Sequence, residues 1–138
     1  MVEHVSWEAA AAPGRRIGHA VEVHDRIGST NDRARALLAE PGASGIAVVA
    51  EEQLAGRGRR GRTWSSPPGV NLMLSVALKP RLPAADAWQL GLAVALAVRE
   101  ACASVAPVAL KWPNDIVAPD GRKLGGILVE LWGWPAVY

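Results

Sequence analysis

Apolar and polar residues alternate from Val21 to His24, the period of a strand with one covered face. The pattern then changes. Gly28, Ser29, Thr30, Asn31 and Asp32 concentrate helix-starting residues, and Ala34, Leu37 and Leu38 follow at helical spacing, so a helix is expected until Pro41 and Gly42 stop it. Ile46 to Ala50 is a short β-branched run between turn signals and reads as a buried strand. Asn71 to Leu78 reads as another, ended by Pro80. From Asp86 to about Ala103 the chain is Ala/Leu-rich and apolar on most sides, the pattern of a largely buried helix. Val108 to Lys111, Ile116 to Ala118 and Leu124 to Leu131 complete the set as strands, the last two joined by a hairpin at Pro119, Asp120 and Gly121. Strands outnumber helices and hairpins are implied, so the expected class is α+β rather than a doubly wound parallel sheet.

At 138 residues the chain can bury roughly two-thirds of its unfolded surface without disulfides, and a composition 50% apolar and 20% charged excludes general disorder. No repeat or long linker divides it. Residues 1–19, with Pro13, Gly14 and Gly18, are expected to form a loose lead-in, and residues 20–138 one domain. Glu3 and Glu8 interrupt any signal-peptide layout, and Ala87 to Val98, which contains Gln89, falls short of the roughly twenty residues a bilayer requires. Cys102, the single cysteine, reads as a small core residue and allows no internal disulfide. The expectation is a cytoplasmic protein with no membrane partner.

Net charge is only +2, yet 12 of the 15 basic residues are Arg and four of those fall within residues 57 to 62. The charge is local, so its partner should be local. Gly56-Arg57-Gly58-Arg59-Arg60-Gly61-Arg62 matches the dinucleotide fingerprint literally and nearly matches a P-loop, but Pro67 and Pro68 leave no room for the helix that either motif needs. The segment is therefore a loop. Its repelling guanidinium groups should order only over an anion such as phosphate or an acyl phosphate, which arginine recognises with paired charge-assisted hydrogen bonds. A solvated basic loop, or one that binds RNA nonspecifically, is the competing reading.

Lys111-Trp112-Pro113-Asn114-Asp115 follows an apolar strand, so Lys111 sits at a rigid strand end, and the residue before proline is held extended. Asn114 and Asp115 add an amide and a carboxylate in a tight turn; a plain turn with an incidental lysine is the alternative. Ser29-Thr30-Asn31 is explained by helix capping alone, but beside the other two segments it sets two hydroxyls at a helix start.

Together these segments resemble the biotin protein ligases. The matches run from Ser29-Thr30-Asn31 through Gln53, the glycine-arginine loop with Trp64, Asn71-Leu72, Lys111 to Asp115, and Lys123-Leu124-Gly125-Gly126-Ile127-Leu128-Val129-Glu130, covering roughly residues 20 to 131. The resemblance implies the α+β fold shared with class II aminoacyl-tRNA synthetases, a mixed β-sheet with helices on one face. It implies a two-step reaction in which biotin and MgATP give biotinyl-5′-adenylate, which then acylates a lysine of a biotin carboxyl carrier domain of an acyl-CoA carboxylase. By this resemblance Ser29, Thr30, Asn31, Gln53, Arg57, Gly58, Arg59 and Lys111 hold biotin, with Arg59 and Lys111 catalytic. Gly56, Arg60, Gly61, Trp64, Asn114 and Lys123 fall on the ATP and adenylate side. The metal ligands for Mg²⁺ are not identified.

Carboxylate attack on the α-phosphate brings two anions together, so cations that neutralise growing charge are what the step needs. The mixed anhydride must then be kept from water, which a loop ordering over the bound anion achieves.

No winged-helix segment precedes residue 20, so no DNA-binding role is expected. The family continues beyond Tyr138 with further catalytic strands and a small barrel, so the chain is expected to be C-terminally incomplete. It should expose an apolar edge at Leu124 to Leu131, Trp132 and Trp134, associate with a second copy through that edge, bind biotin weakly and support little pyrophosphate exchange. The rival readings are a lipoate-type ligase, which is not expected to carry the Lys111 to Asp115 motif, and a noncatalytic nucleic-acid-binding domain using Arg57 to Arg62.

Overall fold

The computed structural model describes residues 7–133. The chain forms two compact units, one built from residues up to Arg57 together with Gly61–Pro80, the other from Gly58–Arg60 together with residues from Arg81 onward. The class is α+β as expected, with the strands divided between two three-stranded sheets.

In the first unit, the segment expected to be a loose lead-in contains a one-turn helix, α1 (Trp7–Ala10), and is tied down farther on by a hydrogen bond from Gly18 N–H to Gly45 O (2.8 Å). The sheet is mixed. β1 (Val21–Ile27) pairs in parallel with β2 (Ala47–Gln53), which pairs antiparallel with β3 (Met73–Val76). Helix α2 (Thr30–Leu37) connects β1 to β2 and packs over β2 and β3. Its buried Ala34 and Leu37 meet Ala43, Val48 and Ala77, with Val48 entirely excluded from solvent.

Register decides which residues face α2. Glu22, Val48 and Ser75 lie in one row across the three strands, so the covered face carries Glu22 and His24 of β1. Val23, though apolar, is 44% exposed on the opposite face. The carboxylate is accommodated because Arg33 of α2 donates to both its oxygens, from Nε to Oε1 at 2.6 Å and from Nη2 to Oε2 at 2.9 Å.

β1 and β2 run three residues beyond the expected ends, His24 and Ala50. Their polar tails stay in the ladder because Arg26 and Glu52 are register partners and form an ion pair at 2.6 Å.

The second unit contains α3 (Trp88–Ala103), preceded by a 3₁₀ turn at Ala84–Asp86, and the antiparallel strands β4 (Ala109–Lys111), β5 (Asp115–Val117) and β6 (Lys123–Gly126) in that order. The hairpin between β5 and β6 forms where expected, closed by a bond from Ala118 N–H to Arg122 O, with Gly121 in the left-handed region at φ 85°. A second tight turn, Trp112 to Asn114, joins β4 to β5.

Two expectations for this unit require correction. Helix α3 is not largely buried: Ala95 is its one buried residue among those described, and Trp88 and Leu96 are about 60% exposed. Sixteen residues of helix extend about 24 Å, whereas strands of three or four residues extend roughly 10–13 Å and cannot cover it. Cys102 is accordingly only half-buried. The strand expected over Leu124 to Leu131 stops at Gly126, because β5 begins at Asp115 and Asn114 takes over both backbone groups of Ile127. Trp134 lies outside the described residues. No helix among the described residues is long and apolar enough to cross a membrane.

Candidate functional site

The first unit concentrates buried polar side chains where α2 begins. Ser29 is the formal N-cap, yet its side chain makes no capping bond; Gln53, at the end of β2, reaches across and accepts the Thr30 N–H at 2.8 Å with its Oε1. The same oxygen lies 3.0 Å from Thr30 Oγ1, which is 2.7 Å from Ser75 Oγ, which in turn contacts Asn31 Oδ1. Gln53, Thr30, Ser75 and Asn31 thus form one continuous polar chain, and Ser29, Thr30 and Ser75 are all buried. Ser66 lies nearby through a β-bridge with Gln53, and its buried hydroxyl has no hydrogen-bond partner among the described residues. All four resemblance-based positions in this region are therefore brought together. Ser75 and Ser66 were missed.

The arginine loop leaves this cluster as a closed turn rather than a helix. Trp64 N–H bonds to Gly56 O at 2.8 Å, and Arg57 bridges to Thr63. Gly56 is required there, since a Cβ on it would stand 2.5 Å from the Trp64 carbonyl oxygen. At the loop's tip Arg60 (φ 58°) and Gly61 (φ 70°) are both left-handed.

The expectation that the loop needs an external anion for order is corrected at Arg57. Asp32, in the first turn of α2, receives its guanidinium in a bidentate pair, Nη2 to Oδ1 at 2.8 Å and Nη1 to Oδ2 at 2.9 Å. The Arg57 hydrogen bonds hold the Asp32 carboxyl below its ordinary value, outweighing desolvation, which acts in the other direction.

The second unit organises the remaining positions around one amide. Asn114 Oδ1 accepts from Arg59 Nη1 at 3.1 Å while its Nδ2 donates to Ile127 O at 3.1 Å. Next to it, Asp115 Oδ1 accepts from Lys123 Nζ at 2.7 Å. Lys111 ends β4 as the register partner of Asp115 and is exposed. Arg59, Asn114, Lys123 and Lys111 are thus held on one short sheet and the loop segment that joins it. Asp115 was quoted in the motif without a role; the structure gives it one, as the anchor of Lys123.

Among the described residues no group of three or more His, Cys, Asp or Glu could hold a metal ion, so Mg²⁺ finds no dedicated cage here.

Comparison with known proteins follows the same residues. Residues 23–133 match the biotin/lipoate A/B protein ligase family. The chain is 47% identical over 110 residues to the biotin--[acetyl-CoA-carboxylase] ligase of Paracoccus denitrificans, covering 76% of this chain and 44% of that protein. It is 43% identical over 122 residues to the bifunctional ligase/repressor BirA of Escherichia coli, covering 87% and 37%. Among solved structures, the Leishmania major biotin protein ligase in complex with biotinyl-5-AMP aligns with a TM-score of 0.65 at 36% identity, over 83% of this chain and 53% of that one. The Aquifex aeolicus biotin protein ligase in complex with biotin and ATP aligns with a TM-score of 0.60 at 35% identity, over 81% and 47%. The chain spans about half the length of these proteins or less.

Proposed function

The chain belongs to the biotin/lipoate A/B protein ligase family, and from that premise we propose that it serves the ATP-dependent attachment of biotin to a lysine of a biotin carboxyl carrier domain of an acyl-CoA carboxylase. The observation that carries this reading is the polar chain Gln53–Thr30–Ser75–Asn31, with Thr30 and Ser75 buried. It is uncharged and made of amide and hydroxyl groups that can both donate and accept, which suits a neutral polar ring. Ser29, Thr30, Asn31 and Gln53 hold that ring.

The reaction then needs cations. A biotin carboxylate oxygen attacks the α-phosphorus of ATP and pyrophosphate leaves; the carrier lysine's amine next attacks the acyl carbon and AMP leaves. Arg57, Gly58, Arg59 and Lys111 serve the carboxylate and the charge developing beside it, while Gly56, Arg60, Gly61, Trp64, Asn114 and Lys123 serve the nucleotide. Arg59 and Lys111 act on the reacting atoms. Mg²⁺ would enter with the ATP phosphates, which supply most of its oxygen ligands. The reading places the reaction in the cytoplasm, with the carrier domain as its partner.

Relatives named as biotin ligases favour biotin over lipoate within the family. Calorimetric titration of the 138-residue chain with biotin and with lipoate tests this, alongside biotin-dependent exchange of labelled pyrophosphate into ATP. Weak but measurable biotin binding, no lipoate binding and slow exchange are expected. Preference for lipoate, or binding of RNA with no affinity for biotin, overturns the reading.

A further inference from the structure

Arg57 and Arg59 stand close together in the loop and are held in opposite ways. Arg57 spends both arms of its guanidinium on a carboxylate, that of Asp32. Arg59 makes one hydrogen bond among the described residues, from Nη1 to Asn114 Oδ1 at 3.1 Å, and no ion pair. Its holder carries no charge.

The orientation of that holder is decided on its far side. The Asn114 backbone carbonyl accepts the Ile127 N–H at 2.9 Å, and Asn114 Nδ2 donates to the Ile127 carbonyl at 3.1 Å. A carbonyl accepts only from the nitrogen end of an amide, so Ile127 turns Oδ1 away from itself, and Arg59 takes that end. With one Nη1 hydrogen committed, Arg59 keeps Nε, Nη2 and the other Nη1 hydrogen. These suffice for two parallel bonds to a carboxylate or phosphate without releasing Asn114. The charge of the guanidinium is also unspent, because an amide oxygen offers only a partial negative charge.

We infer that Asn114 is a positioning residue for Arg59, a neutral clamp, itself fixed by Ile127, that holds the guanidinium in place for an oxyanion while leaving its charge free. This deepens the reading above: which oxyanion is bound rests on the ligase function, and Asn114 serves it through Arg59. A carboxylate in the same position would hold Arg59 more firmly and neutralise it.

Asn114→Asp makes that exchange with almost no change of shape. Calorimetric titration of the full 138-residue chain with inorganic pyrophosphate should show affinity falling about tenfold in this variant. In an Arg59→Gln background the same substitution should change affinity by less than about twofold, since the group it acts through is gone. Asn114→Ala, which removes the clamp and adds no charge, should cost about threefold with Arg59 present and nothing without it, and this pair decides the matter if Asn114→Asp does not fold. An equal loss in both backgrounds overturns the inference, because the substitution would then repel the anion directly or disturb the fold. So does unchanged affinity with Arg59 present, or a parent chain that does not bind pyrophosphate. Biotin titrated in parallel keeps the wider reading separate: the expected pyrophosphate pattern without biotin binding would leave the clamp standing and overturn the ligase function.

Discussion

At the scale of single residues, Thr30 shows how little spare capacity the buried chain has. Its N–H and its hydroxyl both lie against Gln53 Oε1, and the hydroxyl also meets Ser75. Thr30→Val keeps the shape and removes only the hydroxyl, so it should cost about 1–2 kcal/mol of stability and also weaken biotin binding. Thermal unfolding and calorimetry measure the two effects separately. The sequence exposed Thr30 because a Ser-Thr-Asn cluster before a helical pattern is visible locally. It hid Ser75, because whether one serine in the apolar run from Leu72 to Leu78 points inward depends on pairing with Val48, a partner far away in the chain. It also misplaced the cap: only the long reach of Gln53 from β2 relieves Ser29 of that work, and nothing local announces it.

At the scale of elements, α2 is fastened on two sides. Leu37 and Ala34 bury against Val48, and Val48→Ala should lower stability by about 2 kcal/mol through lost transfer energy and a small cavity, read as a lower urea midpoint at unchanged slope. Arg33 fastens the other side to β1. Its hydrogen bonds to Glu22, and secondarily the neighbouring His24, hold the Glu22 carboxyl below its ordinary 4.5. A carboxylate whose folded value is depressed adds stability above its unfolded value and loses it as pH falls through the folded one. Urea midpoints should therefore drop as pH is lowered below about 4.5, and Arg33→Gln should flatten that dependence. Apolar runs located α2, α3 and the six strands, since local burial sets their period, but not the one-turn α1 in the expected lead-in. Their ends and faces were less legible: charged residues continued β1 and β2 through a cross-strand ion pair, and an apolar composition alone did not show that α3 outruns the strands beside it.

At the scale of the whole molecule, several charges are paired while much apolar surface is left bare. Trp88, Leu96, Trp112 and Leu124 are each more than half exposed. Such surface drives association, so light scattering should show mass rising with protein concentration, and a constant monomer mass across that range would refute it. Several cations, by contrast, already have anions: Arg57 with Asp32, Arg33 with Glu22, Lys123 with Asp115. Arg57 can therefore serve an anionic substrate only by exchange, releasing the Asp32 carboxylate to water. Once released, that carboxyl returns toward its ordinary 3.8 and gathers a proton at pH values where the paired form was bare. Titration near pH 4 in buffers of unlike ionisation heat should thus register net proton uptake on anion binding, and Asp32→Asn should abolish it. Anion binding by this loop would then be coupled to acidity through a residue that never touches the anion.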